Sequence, residues 1–473
     1  MGEQVEFSMR RKQAIEFMNR GVEATVGSNG APPNAQIGYQ LIGSAIYADP
    51  TLAQAHYVMG NANGDLKLKS ASVANYRRAL QIEPTGELGD LTLETRAHLL
   101  CNMGHTLFHL GRHTEAMQRT MESIALCDTK AFTWCNKSLI HSVRGQDKAA
   151  IFAAEKAYSL EPTNATVEVA LAFALLHAKE YQKGFKHFEA RFPYKLQQFL
   201  NYPYPKWHGE EGADLFLVSD QGMGDSIDFL RFVPHAQKRC KNIYLGAQPE
   251  LMRLLHAMFG HHENIHFMAL PQPFPPATHW AALMSLPVAM GLTDEEIINA
   301  PMPKFENLKS IPEWKQDGAK FHVGIAWAGA PLNEVDQWRS AKVDHFLELC
   351  RVPNVQFYSL QVGDRAQEMH NAGGATLIKD ITPYIRDVMD TTAILEHLDM
   401  VICVDTSLGH IAGIMDKPVW IPASFNGCCW RFSRHGTKSL WYDKHVIYRQ
   451  GEDNDWTPVF DRIATDLDSL VNG

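Results

Sequence analysis

Three short stretches of the chain place glycine and polar side chains directly after an apolar run. In the first stretch, the run LFLV (215–218) precedes Gly222, Gly224 and Asp225. The run is apolar on both faces, as in a buried strand of a parallel sheet, and glycine lets the backbone approach another group closely. Backbone N–H groups at the start of the following helix would point at whatever lies above the sheet edge, and Asp225, in the first turn of that helix, would face the same space. The alternative is an ordinary strand-to-helix turn in which Asp225 only caps the helix.

The second stretch, VGIAWAGAPLNEVDQWRSAK (323–342), supplies a cation. A predicted strand ends at Trp327 and Gly329, and a polar loop then brings Arg339. A guanidinium just beyond a sheet edge suits bidentate contact with a phosphate. The alternative is that Arg339 is a surface cation that binds no ligand.

The third stretch, DMVICVDTSLGHIAGIMDKPVW (399–420), joins a predicted strand to a predicted helix. The junction offers a carboxylate, two hydroxyls, a glycine and an imidazole: Asp405, Thr406, Ser407, Gly409 and His410. Hydroxyls and free N–H groups at the start of a helix form an anion site. For His410 two roles are open, a hydrogen bond donated to a phosphate oxygen or a cap on the helix.

These stretches need elements that bring them together. From residue 196 onward, strand-like and helix-like segments alternate, which predicts parallel sheets flanked by helices. We divide this part into two Rossmann-like halves, 196–312 and 313–473. The strand-like segments are LFLVSD, NIYLGAQ and ENIHFMAL, then FHVGIAWAG, VQFYSLQ, GATLIKD, MVICVD, PVWIPA and HVIYR. Because ligands bind at the carboxyl ends of such strands, we expect the three stretches to face one cleft.

The first part, residues 1–195, predicts a helical repeat. Pro50 and Pro84 are 34 residues apart, and Gly104, Ser138 and Ala172 recur with the same step. This period, with small residues at packing points, resembles the tetratricopeptide repeat, in which stacked helix pairs form a solenoid. The solenoid is either a surface for a protein partner or self-association, or a structural spacer. We interpret four nearby histidines as packed or solvated side chains and not as metal ligands: His98, His105, His109 and His113.

The bulk composition narrows the class of protein. The formal net charge is −9, which argues against electrostatic binding of nucleic acid by the whole molecule. No apolar stretch is long enough for a bilayer span, and the N-terminal residues lack the apolar core of a signal peptide. The eight cysteines are scattered, so we expect reduced thiols. Together these features predict a cytoplasmic protein with no membrane span.

The motifs also resemble a known family. The segments DQGMGDSIDFLRFVP, VGIAWAG, YSLQVGD and DITPYIRDVMDTTAILEHLDMVICVDTSLGHIAGIMDKPVW are similar to the glycosyltransferases that include bacterial heptosyltransferases, above all their tetratricopeptide-fused relatives. The resemblance spans most of residues 165–465. It implies a glycosyltransferase-B fold and inverting, metal-independent transfer from a nucleotide-diphosphate sugar, with no further cofactor. Residues 196–312 would form the acceptor side and residues 313–473 the nucleotide-sugar side.

The resemblance also implies roles for individual residues. Asp225 matches the candidate general base. Asp220 is expected to brace the loop because of its own position, just before the turn at the strand end. The residues expected to bind the nucleotide sugar are Gln221, Gly222, Gly224, Trp327, Gly329, Arg339, Gln361, Asp405, Thr406, Ser407, Gly409 and His410. Asp387 and Asp390 are expected to position the helix before the third stretch. The segment Trp430-Arg431-Phe432 keeps an aromatic–arginine–aromatic pattern.

Other functions stay open on the sequence alone. The acceptor is unidentified and is a protein, a glycan or a modified nucleic acid. One alternative is a catalytically silent repeat scaffold with a degenerate transferase body. A second is a nucleotide-sugar epimerase of similar two-half fold. A third is a transferase that acts on modified nucleic-acid bases, which the acidic net charge disfavours.

Overall fold

The structure is a computed structural model of the 473-residue chain. It describes residues 2–27, 33–82, 91–306, 320–331, 333, 335–427, 429–432 and 434–473. The chain divides into two compact units, Met1–Leu171 and Ala172–Gly473. Pro84 and the predicted boundary between residues 312 and 313 lie outside the described residues. Within the described residues, no helix has the length and apolarity needed to cross a bilayer.

The first unit consists of consecutive helices that pack in pairs, α1 on α2, α3 on α4, α5 on α6 and α7 on α8. The helices are α1 Gly2–Val26, α2 Ala35–Ala48, α3 Ala53–Asp65, α4 Lys69–Gln81, α5 Leu93–His109, α6 His113–Leu126, α7 Ala131–Val143, α8 Asp147–Leu160 and α9 Ala165–His177. The helix α9 spans the division between the units. At the packing point Gly104, an added Cβ would lie 2.8 Å from Thr120 Oγ1 and 3.2 Å from the Ala116 carbonyl oxygen. The small residue therefore allows α5 and α6 to approach closely.

Residues 172–195, which we assigned to the repeat, cluster with the second unit. Their apolar side chains share one core with the first α/β half, for example Leu176, Tyr181 and Phe185 beside Phe229. The ring of Phe185 meets that of Phe229 edge to face at a centroid distance of 5.5 Å. These residues therefore stabilise the α/β part.

The first α/β half contains a four-stranded parallel sheet in the order β3–β2–β1–β4. Its strands are β1 Asp214–Val218, β2 Asn242–Ala247, β3 Ile265–Ala269 and β4 His279–Ala282. The first three confirm the sequence prediction. We missed β4 because it has four residues and directly follows the proline-rich stretch PQPFPPAT (271–278).

The second half contains a six-stranded parallel sheet in the order β10–β9–β8–β5–β6–β7. The strands are β5 Phe321–Ala326, β6 Val355–Ser359, β7 Ile378–Asp380, β8 Met400–Cys403, β9 Val419–Ala423 and β10 His445–Arg449. All six coincide with predicted segments. Since β5 and β8 are neighbours, the loops after them leave the same edge of the sheet.

The helices of the second unit flank these sheets. They are α10 Tyr181–Phe188, α11 Arg191–Lys195, α12 Met223–Phe229, α13 Val233–Gln237, α14 Met252–Phe259, α15 Leu286–Ala289, α16 Asp294–Ile298, α17 Asp336–Arg339, α18 Val343–Leu349, α19 Gln367–Asn371, α20 Val388–Glu396, α21 Ser407–Ile414 and α22 Thr457–Asn472. The apolar pattern from Ile227 to Val233 predicts a helix that stops at Pro234. This prediction is wrong, because Pro234 stands in the first turn of α13, where a proline costs no hydrogen bond.

Candidate functional site

The loops after β1 and β8 belong to different sheets, and they meet at Gly224. A Cβ added there would lie 2.8 Å from Cδ2 of His410 and 3.3 Å from Cα of Ser407. The backbone φ of Gly224 is not positive, and that of Gly222 is −61°. The glycine at 224 therefore serves the close approach that the sequence suggested, and neither glycine is needed for a left-handed turn. It lets α12 pack directly on the start of α21.

Asp225 lies in the first turn of α12. Its Oδ1 accepts a hydrogen bond from Nη2 of Arg431 at 2.8 Å, across the two α/β halves. The Asp225 side chain is 30% exposed, whereas that of Arg431 is 3% exposed. The carboxylate is therefore partly open to solvent, with one oxygen held by a buried guanidinium.

Beneath Asp225, the carboxylate of Asp228 is fully buried. It accepts hydrogen bonds from Arg431 Nε at 2.6 Å and Tyr442 OH at 3.0 Å, and forms an ion pair with Arg231 Nη2 at 2.9 Å. Burial alone would raise the pKa of Asp228, but Arg231 and Arg431 outweigh it and hold the pKa below its usual value. This buried group therefore stays ionised and joins α12 to the second half.

His410 lies in the first turns of α21 and is buried. Its Nδ1 is 3.1 Å from the hydroxyl oxygen of Tyr442. Burial lowers the pKa of His410, and the nearby carboxylate of Asp228 only partly opposes this effect. The imidazole is therefore neutral at physiological pH.

The second stretch places its cation where the sequence predicted. A Cβ on Gly329 would lie 2.3 Å from Nη2 of Arg339, so any larger residue would displace the guanidinium from this position. Arg339 Nε donates to Asp336 Oδ1 at 3.3 Å, and Arg365 Nη1 donates to Asp336 Oδ2 at 3.1 Å. The side chain of Arg339 is held beside the loop after β5 and is 15% exposed.

The carboxylate of Asp405 follows β8 and is half-buried. Burial raises the pKa of Asp405, and the charges of Arg339, His410 and Arg431 oppose this effect without cancelling it. Arg339 thus acts electrostatically on Asp405, which shows that the second and third stretches face the same region.

Thr406 is the N-cap residue of α21, but its side chain makes no capping hydrogen bond. Its carbonyl oxygen accepts from the backbone N–H of Gly409 at 3.0 Å. Both Thr406 and Ser407 are half-buried. The hydroxyl of Thr406 is therefore not committed to capping the helix, and the first backbone N–H groups of an α-helix have no partner within the helix.

Two predicted contact residues turn inward. The Trp327 side chain is fully buried, and its Nε1 donates to Glu368 Oε2 at 2.8 Å. Gln361 is buried, and its Oε1 accepts from the backbone N–H groups of Trp327 at 3.1 Å and Ala328 at 2.9 Å. These side chains brace the loop after β5, so a ligand would meet only its backbone.

The glutamine in the first stretch is partly buried. The backbone carbonyl of Gln221 accepts from Gln248 Nε2 at 3.1 Å, and the carbonyl of Gly222 accepts from the Ser226 hydroxyl at 3.1 Å. These bonds fix the loop between β1 and α12. Its conformation is therefore set before any ligand binds.

Asp220 braces the same loop, as expected from the sequence. Its Oδ2 accepts from Arg191 Nε at 2.8 Å, and its Oδ1 accepts from the backbone N–H of Met284 at 3.4 Å. The Asp220 and Arg191 side chains are almost fully buried. Both oxygens of Asp220 are engaged in the protein, so it is not positioned as a base.

Asp387 and Asp390 position α20, as expected. Asp387 is its N-cap residue and accepts from the backbone N–H of Asp390 at 3.1 Å. Arg253 Nη1, on α14 of the first half, lies 2.9 Å from Asp387 Oδ2 and from Asp390 Oδ1. This contact is a second ionic link between the halves.

Arg431, Asp228 and Tyr442 were not predicted as site residues from the sequence. Asp228 follows Asp225 by three positions, so a helical reading from Met223 would have placed both carboxylates on one face. The only feature of the sequence that drew attention to Arg431 was its pair of aromatic neighbours. The residues around Tyr442 form no pattern that would predict a site residue. Within the described residues, no three His, Cys, Asp or Glu side chains come together as a metal site.

Comparison with known proteins bears on the helical part. A tetratricopeptide-repeat family model matches residues 53–85. Among solved structures, MamA is 17% identical with a TM-score of 0.29, over 36% of this chain and 92% of that chain. MamA 41-end from Desulfovibrio magneticus RS-1 is 15% identical with a TM-score of 0.31, over 42% of this chain and 98% of that chain.

YrrB, described as a TPR protein with an unusual peptide-binding site, is 13% identical with a TM-score of 0.30, over 40% of this chain and 89% of that chain. Structural similarities at these TM-scores carry no argument about function. No curated protein matches the sequence. The chain thus combines a tetratricopeptide-like helical solenoid at its N-terminal end with two parallel sheets later in the sequence.

Proposed function

We propose that the α/β part is a glycosyltransferase of the glycosyltransferase-B type, which moves a sugar from a nucleotide-diphosphate donor to an acceptor. The observation that supports it most is the contact of Gly224 with Ser407 and His410. This contact brings a carboxylate from the carboxyl end of one parallel sheet to the start of a helix at the carboxyl end of the other. A base and an anion site on facing sheets are what transfer from a diphosphate donor requires.

The donor diphosphate is proposed to bind on the second half. Arg339 supplies a guanidinium beside a glycine, and the start of α21 supplies the Thr406 hydroxyl and backbone N–H groups. Charge-assisted hydrogen bonds of this kind suit a diphosphate, which carries its negative charge on outward-facing oxygens. These donors would stabilise the charge that develops on the leaving diphosphate without a metal ion.

Asp225 is proposed to be the general base. Its carboxylate takes the proton of the acceptor hydroxyl while that oxygen attacks the anomeric carbon. The bond from the anomeric carbon to the diphosphate oxygen breaks, and the configuration inverts. A positioned carboxylate contributes roughly 10²–10⁴-fold to such a step. Arg431 holds Oδ1 of Asp225 from the other half, which leaves the second oxygen for the proton.

The helical solenoid is proposed to bind a protein partner or a second copy of the chain. The tetratricopeptide match at residues 53–85 supports this role, because repeats of this type present an extended surface. The catalytic groups named above all lie in the second unit, Ala172–Gly473. The solenoid therefore selects or assembles, and the α/β part performs the transfer.

The first experiment is a thermal-shift screen of the whole protein against UDP, GDP, ADP, CMP and dTDP. A ligand at a hundredfold excess over its dissociation constant stabilises the folded state by about 2.7 kcal/mol, and we expect at least one nucleoside diphosphate to do so. Absence of any shift would contradict the proposal. A shift without turnover of the matching nucleotide sugar, in the presence of candidate acceptors, would favour the silent scaffold.

A further inference from the structure

A chain of buried hydrogen bonds runs beneath the cleft from Asp228 through Tyr442 to His410. The Tyr442 hydroxyl is 3.0 Å from Asp228 Oδ1 and 3.1 Å from His410 Nδ1. All three side chains are buried. A hydroxyl has one proton, so it can donate to only one of these two neighbours.

The carboxylate of Asp228 determines which group donates and which accepts in each of these hydrogen bonds. Arg231 Nη2 lies 2.9 Å and Arg431 Nε 2.6 Å from the oxygens of Asp228, so this carboxylate is ionised. An ionised carboxylate only accepts hydrogen bonds. Tyr442 must therefore donate to Asp228, and its oxygen is left to accept from His410.

This direction fixes the tautomer of His410. The Nδ1 atom must carry the proton that it donates to Tyr442. Because burial keeps the imidazole neutral by lowering the pKa of His410, the ring has one proton in total. The Nε2 atom is then unprotonated and offers a lone pair.

The neighbouring histidine does not compete for this arrangement. The ring of His445 lies against that of Tyr442 at a centroid distance of 4.5 Å. Neither nitrogen of His445 has a hydrogen-bond partner within the described part of the chain. Tyr442 is therefore shared between Asp228 and His410.

The lone pair of His410 lies beside the loop that carries the proposed base. An added Cβ on Gly224 would be 3.5 Å from Nε2. Asp225, on the same loop, also presents a group that accepts hydrogen bonds. A ligand between them must supply hydrogen-bond donors, and a polyhydroxylated sugar does so whereas a phosphate oxygen does not.

We propose that Tyr442 and Asp228 are positioning residues that fix His410 as a hydrogen-bond acceptor for a sugar hydroxyl. The site then selects a hydroxyl-bearing sugar at this point, and His410 does not donate to the diphosphate. The identity of the ligand as a sugar rests on the proposed glycosyltransferase function. The tautomer of His410 in the unliganded protein does not depend on that function.

The test is ¹⁵N NMR of the whole protein labelled at histidine, with His410→Gln used to assign the signal. At neutral pH we expect a pyrrole-like Nδ1 and a pyridine-like Nε2 for His410. A protonated Nε2, or a cationic ring, would overturn the inference. This wild-type spectrum determines the tautomer of His410 even if a variant does not fold.

The variant Tyr442→Phe removes the acceptor of the Nδ1 proton, so the His410 signals should move towards a mixture of tautomers. An unchanged tautomer in Tyr442→Phe would overturn the role of Tyr442. The matched control is Tyr358→Phe, because the Tyr358 hydroxyl lies 2.9 Å from Nδ1 of the buried His322. That control should change the His322 signals and leave those of His410 unchanged; a change at His410 would contradict the specific pairing.

A binding experiment compares each free nucleoside diphosphate with its sugar conjugate: UDP with UDP-glucose, GDP with GDP-mannose, ADP with ADP-glucose and dTDP with dTDP-glucose. A sugar conjugate should shift the Nε2 signal of His410, and Tyr442→Phe should weaken that conjugate about tenfold without weakening the free diphosphate. Diphosphates that bind while their conjugates leave Nε2 unmoved would overturn the hydroxyl contact. If no nucleotide binds, both the proposed function and the hydroxyl contact are wrong. The tautomer of His410 is tested separately, by the spectrum of the unliganded protein.

Discussion

Asp225 and Asp228 stand three positions apart on α12 and share the guanidinium of Arg431, yet they occupy different regions. The Asp228 side chain is fully buried, and that of Asp225 is 30% exposed. We call the first region the buried network, formed by Asp228, Arg231, His410, Arg431 and Tyr442. We call the second the cleft rim, formed by Asp225, Arg339, Asp405, Thr406 and Ser407.

Burial gives these two identical side chains different roles. A buried charge that loses its partner is strongly destabilising, because the remaining charge has no water to solvate it. A charge at a solvent-accessible rim has little effect on folding but can meet a ligand. The buried network should therefore control stability and, through the tautomer of His410, the contact with the sugar, whereas the cleft rim should control diphosphate binding and the rate of transfer.

The largest expected effect is that of Asp228→Asn on stability. The substitution keeps the shape but leaves Arg231 and Arg431 without their shared buried carboxylate. We expect a loss of about 3–5 kcal/mol in the free energy of unfolding, measured by urea denaturation. The matched control is Asp225→Asn, which should cost less than about 1 kcal/mol at its partly exposed site. Equal losses for the two variants would remove the distinction between the regions.

The next effect is that of Asp225→Asn on transfer. The amide keeps the size of the side chain but cannot take the acceptor proton, so the rate should fall by at least about two decades. Nucleotide affinity should barely change, because the diphosphate is proposed to bind the other half. The comparison variant is Asp220→Asn, whose carboxylate is engaged by Arg191 and Met284. If Asp220→Asn loses transfer through its chemistry while Asp225→Asn keeps it, the base is Asp220.

A smaller effect is expected for Arg339→Ala. Loss of a charge-assisted contact should weaken nucleoside diphosphate binding by about 1–3 kcal/mol, measured by calorimetry. Arg351→Ala is the control, since Arg351 pairs with Asp461 at an exposed site and both side chains are more than half exposed. Affinity that is unchanged in Arg339→Ala, or reduced equally in both variants, would show that Arg339 is only a surface charge.

The smallest effect concerns pH. Burial lowers the pKa of His445 to about 3 from its usual value of 6.5, which we take for the unfolded chain. Between these values the unfolded state binds a proton that the folded state does not, so stability falls as the pH drops below 6.5. One such group contributes about 1.4 kcal/mol per pH unit. His445→Leu should reduce the slope of stability against pH by this amount between pH 6 and 4; an unchanged slope would show that His445 titrates normally.

The sequence predicted the sheets better than the helices between them. The strands of the second sheet are apolar over several residues and are bounded by turn residues, which is a local signal. The sequence placed Asp225 in the first turn of a helix, as it is in α12, although Gly222 and Gly224 stand at the start of that helix and glycine disfavours a helix in isolation. Packing against α21 overrides that preference at Gly224.

The cleft rim was predictable and the buried network was not. Gly329 and Arg339 lie close along the chain, and their pairing follows from the strand end. The contact between Asp225 and Arg431 joins residues 206 positions apart. A local pattern carries no information about such a pair, because it depends on how the two sheets pack. The same holds for Tyr442 and Asp228, which are 214 positions apart.

A crystal structure of the protein with the nucleoside diphosphate that gives the largest thermal shift would show directly whether the α/β part binds a donor as proposed. We predict that the diphosphate lies in the cleft between the two parallel sheets, within hydrogen-bond distance of Arg339 and of the backbone N–H groups at the start of α21. The carboxylate of Asp225 should face the position of the sugar. A diphosphate bound outside this cleft would contradict the account.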